Sequence, residues 1–466
     1  MPAWPLGYQV CGLLLASCHF AAVSMAVPDE PESEHSNQSF CSRYHCCTHE
    51  PGHLNMDCSA RNASELQGVS VPEPITSLSL QHNRISHLQR GSFASAPTLS
   101  RLDLSYNNIA SMSRGWWMPV SGSRSNATSG LRSLSLSNNA MRIVNSSSFH
   151  GLNTLVALDL SYNRIRILSG ESFAGLTNLE ELVVDHNPIY YLRENAFTHI
   201  SRLRVLQMNH LAHVVINPTA FRFVSGVRTL GLAGNDLREV PQQAFRTLKS
   251  LRSLDLSRNL FRVIAGSSLY GLPMLSVLRL NDLHVLTKVD AHAFGLLPSL
   301  KELHLSYNPK LTEVDPYAFH SDWHGHSVQL DELHLRQTGL RSLSSKLQDW
   351  NRLTAVDLSE NAWTCDCRLS WMAPLVDRLR PDYRPRCAAP LGVQGRPVGD
   401  LLPYEFSCED AGSPELTSSI VMMCVIIATA AVTFIGMAVC EYCSRRETPG
   451  YSRFRDSTAS SQEVHA

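Results

Sequence analysis

The chain is 466 residues long and nearly neutral, with 40 Lys+Arg against 41 Asp+Glu. Charged residues make up 17% and hydrophobic residues 44%, too apolar for a disordered chain and too uncharged for a coiled coil. A net charge of −1 supplies no global field to hold a polyanion, so no nucleic-acid partner is expected.

In chain order, the first feature is an uncharged, mostly apolar run from Val10 to Met25, followed by small residues around Ala26. This pattern predicts a secretory signal peptide over residues 1–26. The 13 cysteines are clustered: Cys41, Cys46, Cys47 and Cys58 form one group and Cys365, Cys367, Cys387 and Cys408 another, with none between Cys58 and Cys365. An oxidising secretory route makes disulfides the expectation for both groups, ahead of zinc. Asn37, Asn62, Asn126 and Asn145 each open an N-x-Ser/Thr sequon and are expected to carry glycans.

The long cysteine-free body is periodic. The pattern L-x-x-L-x-L-x-x-N-x-L recurs, for example at Leu155-Leu158-Leu160-Asn163-Ile165. Its second apolar column runs Leu78, Leu102, Leu134, Leu158, Leu182, Leu206, Leu230, Leu254, Leu278, Leu303, Leu333 and Val356, mostly at steps of 24, which makes twelve repeats. A second column, ten or eleven residues after the Asn position, holds Phe93, Phe149, Phe173, Phe197, Phe221, Phe245, Leu269, Phe294 and Phe319. Nine repeats have Asn at the turn position, and Leu211, Leu283 and Thr338 replace it in the others. An amide side chain suits a buried turn because it both donates and accepts. One such repeat cannot bury its own apolar stripe, so stability must come from stacking.

With these columns and flanking cysteines, the chain from about Cys41 to Cys408 resembles extracellular leucine-rich repeat proteins of the 24-residue class, including Toll-like-receptor ectodomains without their signalling domain. The resemblance implies an α/β solenoid with a curved parallel β-sheet on its concave face, capped at both ends by disulfides, plus one transmembrane helix. It implies an N-terminal cap over 41–74 pairing Cys41 with Cys47 and Cys46 with Cys58. The adjacent Cys46-Cys47 departs from the family spacing, and four cysteines allow three connectivities. It also implies repeats over 75–361 and a C-terminal cap over 362–408 pairing Cys365 with Cys387 and Cys367 with Cys408.

After a short stalk at 409–415, residues Leu416 to Cys440 carry no charge, enough for a helix across a bilayer core of about 30 Å. Arg445 and Arg446 follow, so the tail over 441–466 is expected in the cytoplasm of a single-pass type I protein of the cell membrane. In that tail Tyr451 and Phe454 fit a tyrosine-based sorting pattern, and Cys440 and Cys443 are candidates for palmitoylation.

No hydrolase, zinc-protease, P-loop or kinase motif is found, so no enzymatic activity, cofactor or metal is expected. The cluster His320, His324 and His326 is read as a solvated loop. Trp117 falls in the Phe column and is expected in the core, which leaves Trp116 as a candidate exposed, ligand-contacting aromatic. Arg279, Glu302, His304, Glu332, His334 and Arg336 fall on the solvent side of the strands in the ninth to eleventh repeats and form the leading candidate contact surface. Repulsion between His304 and His334 when both are protonated predicts a change in binding between pH 7 and 5.5. The expected function is that of a receptor or adhesion molecule binding an extracellular protein, which would adhere, sequester its ligand or signal through a co-receptor. The alternative is an auxiliary subunit modulating another receptor or channel in cis, which co-purification from one cell would favour over trans-cell aggregation. The ligand's identity and the oligomeric state are not readable.

Overall fold

The computed structural model describes residues 54–444 apart from 67–70, 72–74, 94–95, 97, 118–129, 147, 212, 322–326, 377–382 and 409–413. The signal peptide, Cys41, Cys46, Cys47, Asn37, Asn126, His324, His326, Tyr451 and Phe454 lie outside the described residues.

Alternation of apolar and polar residues in each L-x-L segment produces a three-residue strand with a buried centre and half-buried flanks. Thirteen such strands form one parallel sheet in chain order, from Asn55–Asp57 to Ala355–Asp357. The first precedes the repeats and pairs Met56 with Leu78. The twelve that follow place the repeat column in unbroken register, Leu278 beside Leu303, Leu303 beside Leu333 and Leu333 beside Val356 at its far end.

Behind the sheet, the Phe column is a second continuous layer. Phe173, Phe197, Phe221 and Phe245 are fully buried and their ring centroids follow one another at 6.4, 6.1 and 6.4 Å. Rings of this size each bury about 150–250 Å², so this spine is a main source of stacking energy. The return path is built of tight turns and two-residue strand pairs, such as Tyr191–Leu192 against Val215–Ile216, with helical turns at Gln242–Phe245 and Ser345–Leu347.

The turn that leaves each strand is held by the amide column. Asn163 accepts the Met141 N–H at 3.1 Å and donates to the carbonyls of Leu136, Leu160 and Ser161. Neighbours repeat the pattern: Asn187 accepts from Ile165, and Asn259 from Asn235 and Leu237. Each amide thus satisfies backbone groups of its own repeat and of the one before, which no water could reach. In all twelve repeats the residue just before this position has φ between +53° and +66°, although eleven of the twelve are not glycine.

At the C-terminal end Trp363–Thr364 pairs with Cys387–Ala389, and disulfides join Cys365 to Cys387 and Cys367 to Cys408. Buried Trp363, Leu369, Met372 and Val376 cover the last apolar layer, which would otherwise meet water. Cys58, at the other end, is buried and disulfide-bonded. A helix at Pro414–Ser444 contains Val421–Tyr442, 22 residues long and apolar enough to cross a membrane, with no side chain buried against the protein.

Candidate ligand-binding face

The parallel register gathers the concave candidates. Arg279 lies beside His304, His304 beside His334, and His334 beside Asp357; Glu302 and Glu332 are paired one column away. The two imidazoles stack with centroids 4.5 Å apart and planes 2° from parallel. Their Nε2 atoms point to the adjacent glutamates, His334 at 3.5 Å from Glu332 and His304 at 3.8 Å from Glu302. Arg279 is held by Ser253 Oγ at 3.2 Å, and Arg336 pairs with Glu360. Towards the seventh repeat the face dips into a depression of 390 Å³ beside Asp185, Asn209, Ala233, Asp255 and Arg279.

Burial pushes the His304 imidazole down to about 4, and the neighbouring His334 and Arg279 push the same way against the weaker pull of Glu332 and Asp255. His304 therefore stays neutral through the window from pH 7 to 5.5. The expected repulsion between two imidazolium ions in that window is corrected: desolvation keeps one partner uncharged.

Trp116 is a second correction. It is 1% exposed and donates its Nε1–H to the Ser148 carbonyl at 2.7 Å. Trp117 stacks on Phe93 at 5.6 Å in the Phe column, and Trp116 stands edge-on to both rings. The pair is packed into the core, so Trp116 is not available to a ligand. Of the sequons, Asn62 and Asn145 are exposed. His320 is half-buried, and its carbonyl accepts from His292 Nδ1 at 2.8 Å. Among the described residues no group of three or more His, Cys, Asp or Glu could hold a metal ion.

A further column went unrecognised in the sequence. The left-handed residue before each ladder amide points out along the rim of the concave face. There His82 stacks on Tyr106 at 4.4 Å, Tyr162 on His186 at 4.2 Å and His186 on His210 at 4.5 Å. Burial and the neighbouring His210 lower the His186 pKa, with Asp185 opposing. The signal was present as a ring recurring immediately before the turn position, at Tyr106-Asn107 and Tyr162-Asn163.

The parallel sheet, the amide ladder and the cap disulfides define a capped parallel-strand solenoid of about twelve turns with one helix suited to a membrane. The family model for the leucine-rich repeat matches residues 73–125, 129–189, 225–284 and 275–321, so the chain carries leucine-rich repeats over these segments. It is similar to trophoblast glycoprotein of Mus musculus, 31% identical over 148 residues, covering 30% of this chain and 33% of that protein. It is also similar to trophoblast glycoprotein of Macaca fascicularis, 27% identical over 179 residues, covering 37% and 40%. The chain thus matches well under half the length of these relatives. Two solved structures share the fold. One is the TLR13–ssRNA13 complex, with TM-score 0.51 and 21% identity over 77% of this chain and 56% of that one. The other is a leucine-rich repeat protein of Leptospira interrogans, with TM-score 0.50 and 20% identity over 70% and 82%.

Proposed function

We propose that the protein is a single-pass type I recognition molecule of the cell surface. Its solenoid binds an extracellular protein through the concave face of the ninth to eleventh repeats. The observation that carries this reading is the registered block of Arg279, His304 and His334 beside Glu302 and Glu332. Opposite charges in adjacent columns on a rigid sheet give a partner both orientation and specificity. The exposed sequons, the cap disulfides, the apolar helix and the likeness to trophoblast glycoprotein support an extracellular setting. Arg445 and Arg446 support a cytoplasmic tail, and Tyr451 with Phe454 would serve in its uptake.

The test displays the intact chain on cells, screens it against secreted and surface proteins, and measures each binder again on Glu302→Lys/Arg336→Glu. A protein binder weakened about tenfold or more by the double charge reversal is expected. Binders that keep their affinity within about twofold on that variant would move the contact surface elsewhere.

A further inference from the structure

On the ascending flank, just past the amide ladder, the residue four after the ladder position is a column of its own. In the third to sixth repeats it reads Ile143, Ile167, Tyr191 and Val215. Ile143 is 67% exposed, Ile167 40% and Val215 58%, and Tyr190 beside them is 52% exposed. Isolated exposed apolar residues are ordinary, but an apolar run across consecutive repeats marks a contact surface. Three arginines stand among these side chains. Arg142, Arg164 and Arg166 line, with Ile143, Ile167 and Pro188, a depression of 580 Å³.

The later repeats finish this flank with ion pairs. There Lys288 pairs with Glu313 at 3.1 Å and Asp290 at 3.5 Å, and on the neighbouring rim Arg258 pairs with Asp282 at 3.4 Å. His213 and Asp236, 2.8 Å apart, close the apolar run at its C-terminal end. Among the described residues none of the guanidinium groups of Arg142, Arg164 and Arg166 meets a carboxylate. Three arginines sit on apolar walls without a carboxylate partner among the described residues.

We infer that this flank of the third to sixth repeats is a second docking surface, for an acidic protein segment that also carries apolar side chains. Arginine forks match carboxylates bidentately and, unlike lysine, tolerate desolvation against an apolar wall. Exposed Tyr and Arg are residue types that anchor protein interfaces, and the exposed Ile side chains extend the apolar patch beside them. A sulfated polysaccharide would satisfy the guanidinium groups but leave Ile143 and Ile167 in water, so the apolar walls select protein. The surface lies on a different face from the concave block, and the inference stands whether or not that block binds anything.

The test uses the intact chain on cells, with binding normalised to surface level. Its probes are a short labelled peptide alternating Glu and Leu, the same peptide with Ser for Leu, and a heparin-derived oligosaccharide. The Glu/Leu peptide should bind, and the Ser peptide should bind about tenfold more weakly. Arg142→Glu/Arg166→Glu should weaken the Glu/Leu peptide about tenfold, with the effect growing as salt is lowered. Ile143→Ser/Ile167→Ser should weaken it without changing its salt dependence, while Glu302→Lys leaves it within about twofold. No binding of the Glu/Leu peptide would overturn the inference, as would equal binding of the Ser peptide or tighter binding of the oligosaccharide through the same arginines. Because Glu302→Lys reports on the concave block alone, failure of one surface is separable from failure of the other.

Discussion

Two polar columns cross the strands a few residues apart, and they are built on opposite terms. Inside, Asn259 accepts from the N–H groups of Asn235 and Leu237 and donates to the carbonyls of Leu232, Leu256 and Ser257, so its hydrogen-bonding capacity is used up within the fold. On the concave face, His304 stacks on His334 with its Nε2 buried and 3.8 Å from the nearest glutamate oxygen, beyond hydrogen-bond reach. The first column stabilises because every polar atom is answered; the second costs desolvation without full return. A repeat protein can afford that imbalance only where something other than folding maintains the side chains. The contrast separates residues that hold the solenoid from residues that a partner could complete.

The sharpest way to break this comparison is at the interior column. Asn259→Ala removes the partner of the Asn235 and Leu237 N–H groups and of the Leu232 and Leu256 carbonyls in a buried turn, while the Ser257 carbonyl still accepts from Gly234. At about 1–3 kcal/mol for an unsatisfied buried group, the loss should reach about 3 kcal/mol or more. Chemical denaturation of the detergent-solubilised chain would measure it. A loss under about 1 kcal/mol would mean that water enters the turn and that the amide ladder does not hold the repeats together.

A smaller effect is expected on the concave side, and it depends on pH. The folded His304 titrates at about 4 against an ordinary 6.5. Between those values the unfolded chain binds a proton that the native chain refuses. Stability is therefore greatest above pH 6.5, falls as pH drops towards 4, and levels off below. The difference of the two values sets a ceiling of about 3 kcal/mol for this single group. Melting temperatures of the wild type and His304→Gln between pH 7.5 and 4.5 would test it. The wild type should lose more on acidification, and parallel curves would show that His304 does not carry the dependence.

Much of this was legible in the sequence because repetition turns one-dimensional spacing into register. The Leu column predicted which residues would be neighbours on adjacent strands, and so placed Arg279, His304 and His334 in one row. Depth was not legible in the same way. Trp116 and Trp117 are adjacent, and the Phe column identified the second as core. It could not show that the first is buried as well, with the Ser148 carbonyl as partner for its indole. The rim of rings at His82, Tyr106, Tyr162, His186 and His210 was missed because a left-handed backbone turns a side chain outward where strand alternation gives no guide. Nor does spacing report desolvation, which lowers the His304 pKa.

The two repeats with Leu in the turn position allow the finest test. Leu211 and Leu283 still donate their N–H groups to the next amides, Asn235 Oδ1 at 2.7 Å and Asn308 Oδ1 at 2.6 Å. The loss falls on the preceding repeat: Ile189, which would reach an amide at position 211, bonds back to the Asn187 carbonyl at 2.8 Å. In both repeats an asparagine two residues earlier works on the concave side. Asn209 accepts the Ala233 N–H at 2.8 Å, and Asn281 accepts the Ser306 N–H at 2.9 Å. Asn281 is half-buried and lines the depression beside Arg279, so water can replace what it supplies. Asn281→Ala should therefore cost about 1 kcal/mol or less, well below Asn259→Ala. Equal losses would show that the concave amides also hold the turns, and the division between a structural interior and an available face would not stand.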